Sequence, residues 1–247
     1  LVGSEMCIRD RLVVLMHWAV GTMDDWRVIA PWLQNRLDER SAPPESGGPA
    51  YSDLDWFPPM PAEVSFAVLV FNFGDFGASA YGGSRESWLQ DAAAALDFAS
   101  SLAGIDPHKI AAIGASIGAD GVVDGCYLFN DAGEMGTCLG ALSLSPGNYL
   151  TSEFAYPEAA GYLDLGGYAV WCLAAEGDGN SPELCQALTG EKARAFIFAG
   201  SDHGMNLLTD DQTLLSPPLA PEYDPLVLIQ EFLEAVYAIT LNDINLP

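Results

Sequence analysis

The chain has 247 residues, 50% of them hydrophobic, and sets 34 acidic residues against 9 basic ones for a formal net charge of −25. A surface this acidic repels phosphate backbones and anionic lipid headgroups, which excludes nucleic-acid binding. With only Lys109 and Lys192 as lysines, no basic membrane-docking helix can be assembled, and no apolar run of about 18 residues is present to span a bilayer.

Residues 1–11 (LVGSEMCIRDR) show neither helical nor strand periodicity and lack the apolar core of a signal peptide. They resemble the translated sequencing-adapter scar seen at the ends of assembled metagenomic genes. They are therefore set outside the fold, and residues 12–247 are expected to form one domain whose natural start is missing. From residue 12 onward, short β-branched apolar runs alternate with helical patterns. Strands are predicted at 12–17, 65–72, 110–114, 139–145, 168–174 and 193–199. Helices are predicted at 24–40, with Asp24 as the cap, and at 85–102, 117–129, 181–189 and 224–239. The proline-rich stretch 41–61 reads as a surface excursion. Runs apolar on both faces suit strands buried between helices, so the expected class is α/β, with a doubly wound, mostly parallel sheet.

The most informative motif is the G-x-S-x-G at 114–118, with a strand before it and a helix after it. A nucleophile on a sharp strand-to-helix turn projects above the sheet, and bulky residues two positions to either side would clash; Gly114 and Gly118 avoid this. The hydroxyl of Ser116 is inert at neutral pH unless a base takes its proton. Of three histidines, His17 ends the first strand and His108 precedes the elbow strand, at the opposite end of the sheet. His203 follows the strand 193–199 in a loop at the carboxyl end, where ligands bind in open α/β sheets, and is the candidate base. The candidate acid is Asp178, in a Gly-Asp-Gly turn at the same sheet end. Glu176 is the second choice, and an Asx-turn role for Asp178 stays open. Oxyanion donors are expected from the backbone N–H of Ile117 and from the loop 17–21, at Ala19 or the adjacent Trp18. No Cys-x-x-Cys or clustered histidine spacing exists, so neither a metal nor a cofactor is expected.

The order Ser116, Asp178, His203, together with the stretches 15–26, 68–79, 106–120, 140–149, 173–178 and 200–208, resembles the α/β-hydrolases, and more narrowly the serine esterases of the dienelactone-hydrolase-like family. The resemblance runs from Leu12 nearly to the C-terminus. It implies Ser116 as nucleophile, Asp178 as acid, His203 as base, and a serine hydrolase that cleaves carboxylic esters through an acyl-enzyme. Peptidase or thioesterase activity, or a non-catalytic binding module, are the alternatives. Three departures from the family pattern stand out. Ser116 replaces the cysteine typical of enzymes that open dienelactones, His17-Trp18 replaces the usual His-Gly, and Asn72 stands where many relatives have Asp. The family has two further strands before Leu12; without them 65–72 becomes the sheet edge, and association through that edge is expected.

Setting Cys7 aside, Cys126 and Cys138 flank one loop, and Cys172 and Cys185 flank the segment carrying Asp178. Two disulfides are the favoured reading over four buried thiols, and imply a secreted, periplasmic or cell-surface protein. About twenty residues separate the strands ending at 145 and beginning at 168, too few for a helical cap domain. An open pocket for a small-molecule or polymeric ester is therefore expected, with Trp18, Trp26, Tyr149, Tyr156 and Met205 as candidate lining.

Overall fold

Among the described residues seven strands form one sheet: β1 (Leu12–Met16), β2 (Ala67–Val70), β3 (Ile110–Ala115), β4 (Cys138–Leu144), β5 (Ala169–Ala175), β6 (Ala193–Phe198) and β7 (Leu214–Ser216). Their order is β2-β1-β3-β4-β5-β6-β7, and every neighbouring pair is parallel except β6 with β7. The structure, a computed structural model, describes residues 10–37, 54–79, 82–133, 135–150, 154–217, 223–239 and 241. Every residue of β1, β3 and β5 is buried, the signature of strands covered on both faces.

Alternation along each strand divides the core into two layers. Val13, Leu15, Ile113 and Leu173 face one side, under α1 (Ile29–Leu33) and α6 (Pro225–Tyr237). Val14, Met16, Ala112 and Cys172 face the other, under α2 (Arg85–Ser100), α3 (Ile117–Ala132) and α4 (Tyr156–Leu165). One further helix, α5 (Ser181–Gln186), follows β5.

Four features differ from the sequence reading. The helix expected over 24–40 is instead a 3-10 turn, Met23–Trp26, followed by the five-residue α1. Pro31 has no N–H to donate, so it is accommodated only in the first turn of a helix, and α1 begins two residues before it. The cap is Thr22, not Asp24: its hydroxyl accepts from the N–H of Asp24 at 3.2 Å, and Asp25 closes the capping box. The third difference is α4, a crossover helix between the parallel strands β4 and β5, lying in an interval read from the sequence only as too short for a cap. β7, a three-residue antiparallel strand, was also not expected.

Asp10 and Arg11, assigned from the sequence outside the fold, make contacts with it. The Arg11 carbonyl accepts from Ala67 N at 2.9 Å, the Asp10 carbonyl accepts from Asp106 N at 2.9 Å, and the Arg11 guanidinium lies over the Tyr237 ring. Residues 1–9 and most of the stretch 41–61 lie outside the described residues. β2 stands at the edge of the sheet.

Both cysteine pairs form disulfides, Cys126–Cys138 between α3 and β4 and Cys172–Cys185 between β5 and α5. The turn after β4 is held from beneath by Asp120 of α3. One carboxylate oxygen accepts from Gly147 N at 3.1 Å and the other from Tyr149 N. Burial is the largest influence on this carboxyl and, against the backbone N–H donors, pushes its pKa up to about 6. A folded-state value above the unfolded one means that the contribution of Asp120 to stability is fully present below pH 3.8 and is lost as pH rises through about 6. Chemical denaturation of the wild type and Asp120→Asn across pH 4 to 7 checks this. The wild type is expected to lose up to about 3 kcal/mol relative to the variant over that interval. A constant difference between the two proteins would refute the assignment.

Candidate active site

β3 runs into α3 through Ser116, whose backbone sits at φ 54°, ψ −115°, a conformation that a residue with a side chain adopts only where its surroundings impose it. The neighbouring backbone does so. Ser116 N donates to the Leu144 carbonyl at 2.8 Å, tying the turn to β4. A side chain at Gly118 would lie 2.3 Å from the Met16 carbonyl oxygen, and one at Gly114 would lie 2.1 Å from the carbonyl oxygen of Gly118. The two glycines therefore let the elbow close against both itself and the end of β1. Ser116 is only 5% exposed.

The two other candidate residues arrive on the loops after β5 and β6. His203 Nε2 lies 2.9 Å from Ser116 Oγ, and His203 Nδ1 lies 2.8 Å from Asp178 Oδ1. Glu176, the second-choice acid, is exposed, while its N–H is spent on the Phe198 carbonyl. The two loops are laced together by a bond from Gly177 N to the Gly200 carbonyl at 2.8 Å. On the far side of His203, Gly204 N donates to Ser145 Oγ at 2.9 Å, which ties the loop to the end of β4. His108 lies at the opposite end of the sheet, with Nδ1 2.9 Å from Thr137 Oγ1.

The loop after β1 is shaped by the side chains of His17, Asp25 and Asn72. His17 is wholly buried; its Nδ1 lies 2.8 Å from the Trp18 carbonyl and its Nε2 accepts from Phe73 N at 3.0 Å. Those partners place the ring proton on Nδ1, and burial, the largest influence, lowers the pKa and keeps the ring neutral. Asp25, also wholly buried, accepts from the Trp18 indole at 2.7 Å and from Thr22 N at 3.1 Å. Asn72 Oδ1 accepts from Met23 N at 2.8 Å, fastening this loop to the turn after β2. The Trp18 ring packs over Gly204, beside His203. Ala19 is exposed in the turn that follows, and Ile117 opens α3 at the other side of the elbow.

Of the aromatic and sulfur side chains expected to line a pocket, Trp26, Tyr156 and Met205 are core residues, exposed by 2% or less. Their place in the core follows from packing beneath the loops rather than above them. Tyr149 does reach the site: its ring meets His203 edge to face, 6.2 Å between centroids. It is positioned by Asp120 below and by Arg85, whose side chain donates to the carbonyls of Asn148 and Tyr149. No short motif announces Asp120 or Arg85, since each acts on a partner brought near by the fold.

No protein-family model matches the sequence, and no curated protein does either. Solved structures do. The apo form of Thermogutta terrifontis esterase 2 superposes over 95% of this chain and 86% of its own, with a TM-score of 0.59 at 15% identity. The Pyrococcus furiosus esterase Pf2001 covers 80% of this chain and 75% of its own, with a TM-score of 0.52 at 13% identity. EstE1, a thermophilic carboxylesterase cloned from a metagenomic library, covers 79% and 71% with a TM-score of 0.50 at 16% identity. At these identities the likeness concerns the fold, and together with the seven-stranded, mostly parallel sheet it shows that the chain has the α/β-hydrolase fold, with no large cap domain among the described residues.

Proposed function

We propose that the protein is a serine hydrolase acting on carboxylic esters through an acyl-enzyme, close in type to the dienelactone-hydrolase-like serine esterases. The observation that carries this reading is the position of His203, one ring nitrogen on Ser116 Oγ and the other on Asp178 Oδ1. In that geometry His203 Nε2 takes the hydroxyl proton as Ser116 Oγ attacks the ester carbonyl. Asp178 holds the proton on Nδ1 and stabilises the imidazolium. Collapse of the tetrahedral intermediate returns the proton to the departing alkoxide and leaves the acyl group on Ser116. A water molecule deprotonated by the same nitrogen then releases the acid. The negative oxygen formed in each half-reaction is assigned to the N–H of Ile117, at the positive end of α3, and to the loop after β1, at Ala19 with Trp18 as the alternative.

The substrate class follows from charge and exposure. Val20, 70% exposed, and Met23, 37% exposed, offer apolar surface on the loop beside the elbow. A net charge of −25 disfavours anionic substrates, so neutral acyl esters, small or polymeric, suit the site. Two disulfides suit an exported enzyme.

Thermogutta terrifontis esterase 2 has also been seen phosphorylated by paraoxon, with a TM-score of 0.57 at 16% identity, and the same reagent tests this chain. Paraoxon or a fluorophosphonate is expected to label Ser116, as read by peptide mass, and Ser116→Ala is expected to abolish both labelling and p-nitrophenyl ester turnover. Asp178→Asn is expected to lower kcat about 10,000-fold, since the amide favours the wrong imidazole tautomer. Soluble, folded protein that neither labels nor turns over esters would favour a binding module, and turnover of thioesters or peptides alone would move the reaction class. The cysteines have their own readout. Alkylation without reductant is expected to mark only Cys7, and after reduction all five cysteines. Four extra labels before reduction would remove the argument for export.

A further inference from the structure

We propose that the Cys172–Cys185 disulfide is a positioning device for the active site, holding the Asp178 carboxylate against His203, while Cys126–Cys138 is a staple for stability alone. The proposal rests on the reading of Ser116, His203 and Asp178 as the reacting set. Asp178 lies six residues after Cys172 and seven before Cys185, inside the loop that the disulfide closes. Its carboxylate has little else to orient it. Oδ1 meets His203, and among the described residues Oδ2 is buried with no hydrogen-bond partner. The direction of the acid is therefore set by its backbone frame. On the β5 side that frame is firm, because Glu176 N and Gly177 N donate to the carbonyls of Phe198 and Gly200, and Asp178 N donates to the Ala175 carbonyl.

On the other side the chain turns at once into α5, with Ser181 N donating to the Asp178 carbonyl at 3.0 Å. α5 has only six residues and no side-chain cap. A helix that short has no stability of its own and stays in place only through what anchors it. Cys185, wholly buried, is its covalent link to β5. The second disulfide is the built-in control. It closes a loop of nearly the same length, with sequence separation 12 against 13, so the chain-entropy contribution of the two is nearly equal. Yet Cys126 lies ten residues into α3 from Ser116, about 15 Å along the helix, and Cys138 starts β4 at the opposite end of the sheet.

The test compares Cys172→Ala with Cys185→Ala against Cys126→Ala with Cys138→Ala in the full chain. Both double variants are expected to lose similar amounts of Tm. Only the first is expected to lose kcat, by about 10- to 100-fold with KM little changed, as follows from misplacing a catalytic partner by about an ångström. Only in the first is the low-field proton NMR signal of the His203 Nδ1–H···Asp178 bond expected to broaden or vanish. Equal kcat and an intact signal in both would overturn the proposal while leaving the hydrolase reading standing. A wild type with the NMR signal but no turnover or labelling would instead overturn that reading. Should the first variant fail to fold, Pro182→Gly loosens the start of α5 with the disulfide in place. Near-wild-type kcat there is expected, and a comparable loss of kcat would show that the disulfide is not the anchor.

Discussion

The backbone of α3 approaches the end of β1 until no side chain fits between them, and the geometry of the site depends on that approach. Gly118 lies against the carbonyls of Met16 and His17, and Gly114 lies against Gly118. This contact brings the first turn of α3 and the loop after β1 to one spot above the sheet, on either side of Ser116. It also forces the positive φ of Ser116, because a chain leaving β3 has no relaxed route into a helix so near. The cost of that conformation is offset by the bond from Ser116 N to β4 and by the buried α3, of which eleven residues are inaccessible or nearly so. Strain at Ser116 and burial of the helix behind it belong to one device.

What could be read from the sequence divides along physical lines. Strands buried on both faces announce themselves by composition, and β1, β3, β4, β5 and β6 lie within a residue or two of where their apolar runs suggest. The elbow was legible because its requirement is local: two glycines around a serine, between a strand and a helix. Breaks decided by a single residue were harder. Pro31 inside an otherwise helical pattern divides the segment after β1, and Asn35 at φ 52° ends it early. α4 carries apolar spacing at Tyr156, Ala159, Ala160 and Leu163, but two of these are alanines and Pro157 and Gly161 interrupt the pattern. β7 has three residues and owes its pairing to β6 rather than to any propensity of its own.

At the candidate site, the residues thought to meet substrate were legible, and those that hold them were not. Ser116, Asp178 and His203 each follow a strand at its carboxyl end, where ligands bind in open α/β sheets. Which of Asp178 and Glu176 turns inward was left open by the sequence, because the turn is aimed by backbone bonds from Glu176 N and Gly177 N to Phe198 and Gly200 on the neighbouring strand and loop. The supporting residues Asp25, Asn72, Arg85 and Asp120 bond to backbone or indole groups, and the partners of Asn72, Arg85 and Asp120 lie 27 to 64 positions away. Short polar side chains carry no periodicity that foretells such long-range partners.

The acidic composition explains how this support is built. With 9 basic side chains for 34 acidic ones, most carboxylates cannot be paired with a cation. A carboxylate that must be buried in such a chain has to be met by neutral N–H donors. Asp25 takes the Trp18 indole and Thr22 N, Asp91 takes Gly74 N, and Asp120 takes Gly147 N and Tyr149 N. Asp224 takes Leu226 N, Val227 N and the Trp56 indole, and burial still pushes its pKa upward. Each of these bonds fixes a backbone turn as well as a charge, so Asp25 and Asp120 shape the loops after β1 and β4 that surround Ser116. Asp178 departs from the pattern, because among the described residues the one donor its side chain meets is His203. The Cys172–Cys185 disulfide closes the loop that carries Asp178, so that loop is tied covalently without a further hydrogen bond to the carboxylate.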